Sequence, residues 1–165
     1  MNEPDDGVGL LKLNAAFIQW RTNVNISAKT EYACVAMLEL ASRYPDNVPI
    51  RIKDISDRHG IPNRFLVQIL LQLKGAGLVV SIRGASGGYR LAHAPKDISL
   101  GQVMSIIDGH AAELHQNAEN STPLSAVLLS TWGSIIDQQQ TQLYEITFAD
   151  LLERAVGQSE AMYYI

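Results

Sequence analysis

Four side chains in one short stretch, Asn63, Arg64, Val67 and Gln68, have the chemistry to read the edges of nucleic-acid bases. Asn and Gln carry the paired donor and acceptor that fit adenine, Arg carries the fork that fits guanine, and a valine methyl can touch the methyl of thymine. Their spacing (i, i+1, i+4, i+5) puts them on one side of a helix, opposite Leu66, Ile69 and Leu73. Further along, Arg83 and Arg90 flank Gly84, Ala85, Ser86, Gly87 and Gly88. So small a turn can press its backbone N–H groups on a phosphate, or set an arginine in a minor groove. Ser27 and Lys29 open another helix, whose N-terminus favours a phosphate. The plainer alternatives are a solvated helix face for Arg64 and Gln68, and a strand residue turned to water for Arg90.

Other chemistries find less support. The four histidines are His59, His93, His110 and His115. His59 lies near a helix C-terminus, where its positive charge is favoured structurally. His110 and His115 are five apart, not at the i, i+4 spacing of a helical metal pair, and Glu113 between them adds at best a weak divalent-metal site. No nucleophile elbow, Walker loop or dinucleotide fingerprint occurs. The sequence therefore points away from an enzyme and calls for no cofactor. One cysteine, Cys34, excludes an internal disulfide or a cysteine-only cluster within one chain. Among apolar neighbours it reads as a buried structural thiol.

The chain has 165 residues, 47% hydrophobic and 18% charged, enough to bury one real core. Its net charge of −4 hides a strong asymmetry. Between Val24 and Lys96 ten basic residues face five acids, a net of +5, whereas from Asp97 onward Arg154 alone opposes nine acids, a net of −8. A basic middle joined to an acidic end suits a polyanion-binding module with a separate assembly region. No apolar run approaches the roughly 18 residues of a membrane span. The apolar stretch Val8–Trp20 follows acids rather than the basic residues of an export signal. A soluble, cytoplasmic protein that does not engage the membrane is expected.

These residues need elements to hold them. Ser27 predicts an N-cap, with Glu31 in the first turn and the helix ending before Pro45. A short extended piece, Val48–Ile52, precedes a compact helix from Lys53 to His59, stopped by Gly60. Pro62 suits the start of a second helix over 62–74, with Phe65, Leu66, Ile69, Leu70 and Leu73 inward. Leu78–Ile82 and Tyr89–Ala92 form a hairpin across the 83–88 turn. Ser99 predicts the cap of a further helix through Ile107, and His110–Pro123 reads as a loop. A long helix follows from Leu124 to about Leu143, then a short one capped by Thr147 and running through Leu151 and Leu152. The predicted fold is mostly α with a small β wing: a winged helix-turn-helix plus a long C-terminal dimerisation helix. The expected divisions are an N-terminal extension (1–23), a DNA-binding unit (24–98), and a linker helix, loop and dimerisation helices (99–165). The long helix is apolar at Leu128, Leu129, Trp132, Ile135 and Ile136, and a second copy of the chain is the simplest partner for it.

From Ile26 to Gly109 the sequence resembles the winged-helix bacterial regulators of the Rrf type, the family of IscR, NsrR and CymR. The matching pieces are SAKTEYA (27–33), IKDISDRHGIP (52–62), FLVQIL (65–70), LKGAGLV (73–79), RGASGGYRL (83–91) and SLGQVMSIIDG (99–109). The resemblance implies a homodimeric transcription regulator, a repressor, on double-stranded DNA with a palindromic operator. It puts the DNA contacts at Ser27, Lys29 and Tyr32, at Asn63, Arg64, Val67 and Gln68, and at Arg83, Gly84, Ser86, Gly87 and Gly88.

Three departures qualify it. Many relatives place glutamate where Val67 stands; valine removes an acceptor suited to cytosine and adds a methyl contact. Cluster-binding relatives carry three cysteines in the segment equivalent to His110–Pro123, which here has none. A cluster-free member, with an unassigned effector or none, is therefore expected. Residues 1–23 precede the family pattern, as a disordered arm, an over-called start or a helix on the dimer. The competing expectation is a winged-helix protein-interaction module that has lost specific DNA binding.

Overall fold

The computed structural model describes residues 26–109 and 122–162. The Leu10–Trp20 stretch, His110, Glu113, His115 and most of the expected 110–123 loop lie outside them. Helix α1 (Ala28–Ser42) starts where the Ser27 hydroxyl accepts the Thr30 N–H at 3.1 Å, and Glu31 sits in its first turn. It ends before Pro45, and Asn47 carries the chain through a left-handed turn at φ 54°. Four helices pack on α1, so apolar residues recur round most of its circumference. The buried set is Thr30, Ala33, Ala36, Met37, Leu40 and Ala41. Tyr32, Val35 and Leu38 are only partly buried at its margin.

Helix α2 (Ile52–His59) is closed by Gly60 in the left-handed region at φ 66°. Helix α3 (Asn63–Gly75) follows after three residues. Pro62, expected as its first residue, stands one position outside at the N-cap, because its ψ of 131° is extended. Strands β1 (Val79–Ile82) and β2 (Gly88–Leu91) are antiparallel, with Val79 opposite Leu91 and Ile82 opposite Gly88. The extended piece before α2 joins them: Ile50 and Tyr89 exchange two backbone hydrogen bonds of 2.8 Å. The architecture is a winged helix-turn-helix.

A 3₁₀ turn, Pro95–Asp97, leads to α4 (Leu100–Asp108), whose start carries a reciprocal capping box between Ser99 and Gln102. Helix α5 (Pro123–Glu145) opens with another, between Thr122 and Ser125, and runs two residues beyond the expected end. Helix α6 (Phe148–Met162) is capped by Thr147, whose hydroxyl donates to Asp150 at 2.7 Å while the Asp150 N–H returns a bond to it. It was expected to be short, through Leu151 and Leu152. It continues because Glu153, Arg154 and Ala155 favour the helix and no proline follows.

One core joins these elements. Met37, Leu40, Ile55, Leu66, Ile69, Leu70, Leu73, Val79, Ile98, Val103 and Phe148 are its largest fully buried apolar side chains, each worth about 1.5–3 kcal/mol for the larger ones. Phe148, missed by the sequence pattern, locks the C-terminal half onto the rest. Its N–H bonds the Ile98 carbonyl at 3.0 Å, and the Leu100 N–H bonds the Ile146 carbonyl at 2.8 Å.

Candidate nucleic-acid interface

With Leu66, Ile69, Leu70 and Leu73 turned inward, α3 presents Asn63, Arg64, Val67 and Gln68 together on its exposed side. Val67 keeps 41% of its surface and Leu71, one turn on, keeps 55%. Periodicity alone did not single out Leu71. Phe65, expected in the core, is half-buried instead. Its ring lies 6.1 Å from that of Tyr32, tilted by 49°, and the Arg64 guanidinium sits 4.9 Å from the ring centre. This contact adds about 0.5–1 kcal/mol and limits the positions Arg64 can sample. Tyr32 is thus a half-buried brace behind the start of α3.

The wing is built for close backbone approach. Gly84 takes φ 108°, and the Gly87 N–H closes the turn onto the Gly84 carbonyl at 3.0 Å. A Cβ on Gly87 would meet the Ile82 carbonyl oxygen at 2.4 Å, and one on Gly88 would meet that of Ile50 at 2.4 Å. Arg83, Gly84 and Ser86 are exposed. Two cations brace the hairpin: Arg51 donates to the Ala85 carbonyl, and Lys74 reaches from the end of α3 to the Ser81 hydroxyl at 2.7 Å. Arg90 is not turned to water. It is half-buried and donates to the Asn47 side chain, tying β2 to the turn after α1.

At the start of α1 the Ser27 hydroxyl lies 2.8 Å from Asp108, and the buried Thr30 hydroxyl bonds the other oxygen of the same carboxylate. Ser27 is therefore engaged with the end of α4, while Lys29 makes no ion pair among the described residues. On the opposite side Glu39, with 10% of its side chain exposed, receives Arg58 at 2.7 Å and His59 at 3.1 Å. Burial alone would push the Glu39 carboxyl up. The hydrogen bonds from His59 and Arg58 and their charges outweigh it and hold the group below its ordinary range. This cluster fixes the end of α2 on α1, and so the angle at which α3 leaves it.

Helix α5 buries none of its residues. Leu128, Trp132 and Ile135 share a face at 47%, 47% and 55% exposure, while Leu129 and Ile136 are half-buried.

The sequence profile of the Rrf2 family, described as an iron-dependent transcriptional regulator, matches residues 26–154. The chain belongs to the Rrf2 family. A protein of Synechocystis sp. named as an HTH-type transcriptional regulator is 36% identical over 129 residues, covering 78% of this chain and 87% of that one. CymR of Bacillus subtilis is 33% identical over 143 residues, covering 86% of this chain and all of its own. The solved structure of that CymR, titled a global cysteine regulator, superposes with a TM-score of 0.70 at 31% identity over 79% of this chain and 98% of that one. T. potens IscR gives 0.67 at 31% identity, over 82% and 90%. This Rrf2 chain is accordingly a helix-turn-helix transcriptional regulator and not an enzyme. No helix among the described residues is long and apolar enough to cross a membrane.

The iron in the family's description finds few donors in this Rrf2 chain. Cys34 is its single cysteine. Burial and then the Asp108 charge push the Cys34 thiol up to about 11, so it stays protonated and is a poor ligand. Among the described residues no group of three or more His, Cys, Asp or Glu side chains is placed to hold a metal. A cysteine-ligated cluster does not fit this donor set.

Proposed function

We propose that this Rrf2 regulator is a homodimeric repressor that binds a palindromic operator without an iron–sulfur cluster. In this reading α3 lies in the major groove, with Asn63, Arg64, Val67 and Gln68 toward the base edges. Arg83, Gly84, Ser86, Gly87 and Gly88 of the wing meet the minor groove or the phosphates, and Ser27, Lys29 and Tyr32 lie near the backbone. Two copies join along α5 through Leu128, Leu129, Trp132, Ile135 and Ile136. The basic unit (24–98) then faces the DNA and the acidic unit (99–165) faces away, although the two share a core. Repression follows from occupying promoter DNA, with an effector unassigned or absent.

The observation that carries this reading is the exposed, acid-free row on α3 beside a braced glycine wing, on a chain whose longest helix has an uncovered apolar face. The alternative of a protein-docking winged helix has no comparable observation in its favour. Titrating duplex DNA at several salt concentrations tests it. Each phosphate neutralised contributes about −0.9 to the log–log slope, so several contacts give a steep line. A flat line, or equal affinity for the chain's own promoter and random duplex, would overturn specific binding. A sedimentation mass of one chain at micromolar concentration would overturn the dimer.

A further inference from the structure

We infer that Leu71 is a further base-reading residue of α3, and that Val67 and Leu71 together select two thymine methyl groups in each half-site. The inference deepens the DNA-binding reading above and rests on it. Helix α3 already has its core stripe in Leu66, Ile69, Leu70 and Leu73, all fully buried. Leu71, 55% exposed, is surplus to that stripe. It stands four residues after Val67 and three after Gln68, so it continues their face. The axial distance from Val67 is about 6 Å, one to two base-pair steps. This apolar pair lies between two cations, Arg64 and Lys74, on a helix with no acidic residue. An apolar strip with cationic ends fits a surface that is anionic at its edges and apolar at points within. The major groove of duplex DNA is such a surface, with its thymine methyls between phosphate rails. A protein partner would have to match the same strip with acids at both ends.

The test starts by selecting preferred duplexes from a randomised pool with the wild-type chain. Single thymines in the selected half-site are then replaced by uracil, which removes only the methyl. Each duplex is titrated against wild type, Val67→Ala and Leu71→Ala. Wild type should lose about fourfold in affinity at two thymine positions, the effect expected for one methyl group. Leu71→Ala should erase the loss at one position and Val67→Ala at the other. Because Leu71 is outside the core, unchanged melting of the variant separates this effect from misfolding; Leu71→Met, which keeps an apolar tip, should retain the penalty. If Leu71→Ala keeps both methyl penalties, the inference is overturned, and docking of a protein becomes the better account of the strip. If wild type selects no sequence at all, the DNA-binding reading itself fails.

Discussion

Replacing Gly88 by alanine tests how the wing is held in place. The added Cβ would lie 2.4 Å from the Ile50 carbonyl oxygen and 2.6 Å from its carbon. Both are backbone atoms, so neither can swing aside as the tip of a side chain would. Strand β2 must back away, and the two 2.8 Å bonds between Ile50 and Tyr89 stretch or break. Each contributes about 0.5–1.5 kcal/mol net, which sets a destabilisation of about 2 kcal/mol for the pair. In a chain of this size that lowers Tm by about 4–8 °C. Gly75→Ala is the matched control: nothing lies within 4 Å of its added carbon at the end of α3, so Tm should hold or rise slightly. Scanning fluorimetry measures both variants, and amide exchange at Tyr89 locates the damage. A Gly88→Ala protein that melts with wild type and keeps slow exchange at Tyr89 would refute the claim that Ile50 anchors the hairpin.

Three further outcomes follow from contacts around the same unit. Arg51→Ala removes the donor to the Ala85 carbonyl, so the Gly87 amide should exchange about fivefold faster, the equivalent of one ordinary hydrogen bond; unchanged exchange would show that the wing tip needs no tether. Glu39, held below its ordinary 4.5, stabilises the fold above that pH and ceases to as pH falls through its folded value. Glu39→Gln should therefore show a flatter stability curve than wild type between about pH 6 and 3 in denaturant titrations, and parallel curves would deny the cluster its role. Cys34, at about 11, should react with iodoacetamide at pH 7.5 about a hundredfold more slowly in the native chain than in urea; equal rates would mean an exposed, reactive thiol.

What was legible in the sequence was local. Ser27, Gly60 and Ser99 mark helix ends through bonds or dihedral angles within a few residues, and those ends stand where their chemistry places them. The exposed row on α3 was legible for the same reason, since its period is set by one helix. What escaped depends on residues far apart in the chain. Asp108 meets Ser27 and Thr30 across 81 and 78 positions, and Arg51 reaches Ala85 across 34. Arg90 reads in the sequence either as a wing cation for DNA or as a strand residue turned to water, and its bond to Asn47 is in neither reading. Phe65 fitted the apolar period next to Leu66, yet the space it fills is shared between Tyr32 and Arg64. Phe148 lies just past a cap and has no period to announce it; only the closing of the C-terminal segment onto Ile98 makes it a core residue.

The seating of Tyr144 on Gly101 has a mechanical consequence. A Cβ on Gly101 would come 2.7 Å from the Tyr144 ring, and the Tyr144 hydroxyl reaches Ser105 at 3.3 Å. The long helix is thus gripped near one end, while Leu124 at the other lies about 30 Å away along the axis. Its geometry is that of a lever: a swing of about 10° at this fulcrum would carry the far tip through about 5 Å. In the proposed dimer, joined along α5, such a swing would respace the two α3 helices by a similar amount, when adjacent turns of B-form DNA recur at about 34 Å. Register with the double helix would then depend on how one aromatic ring sits on one glycine.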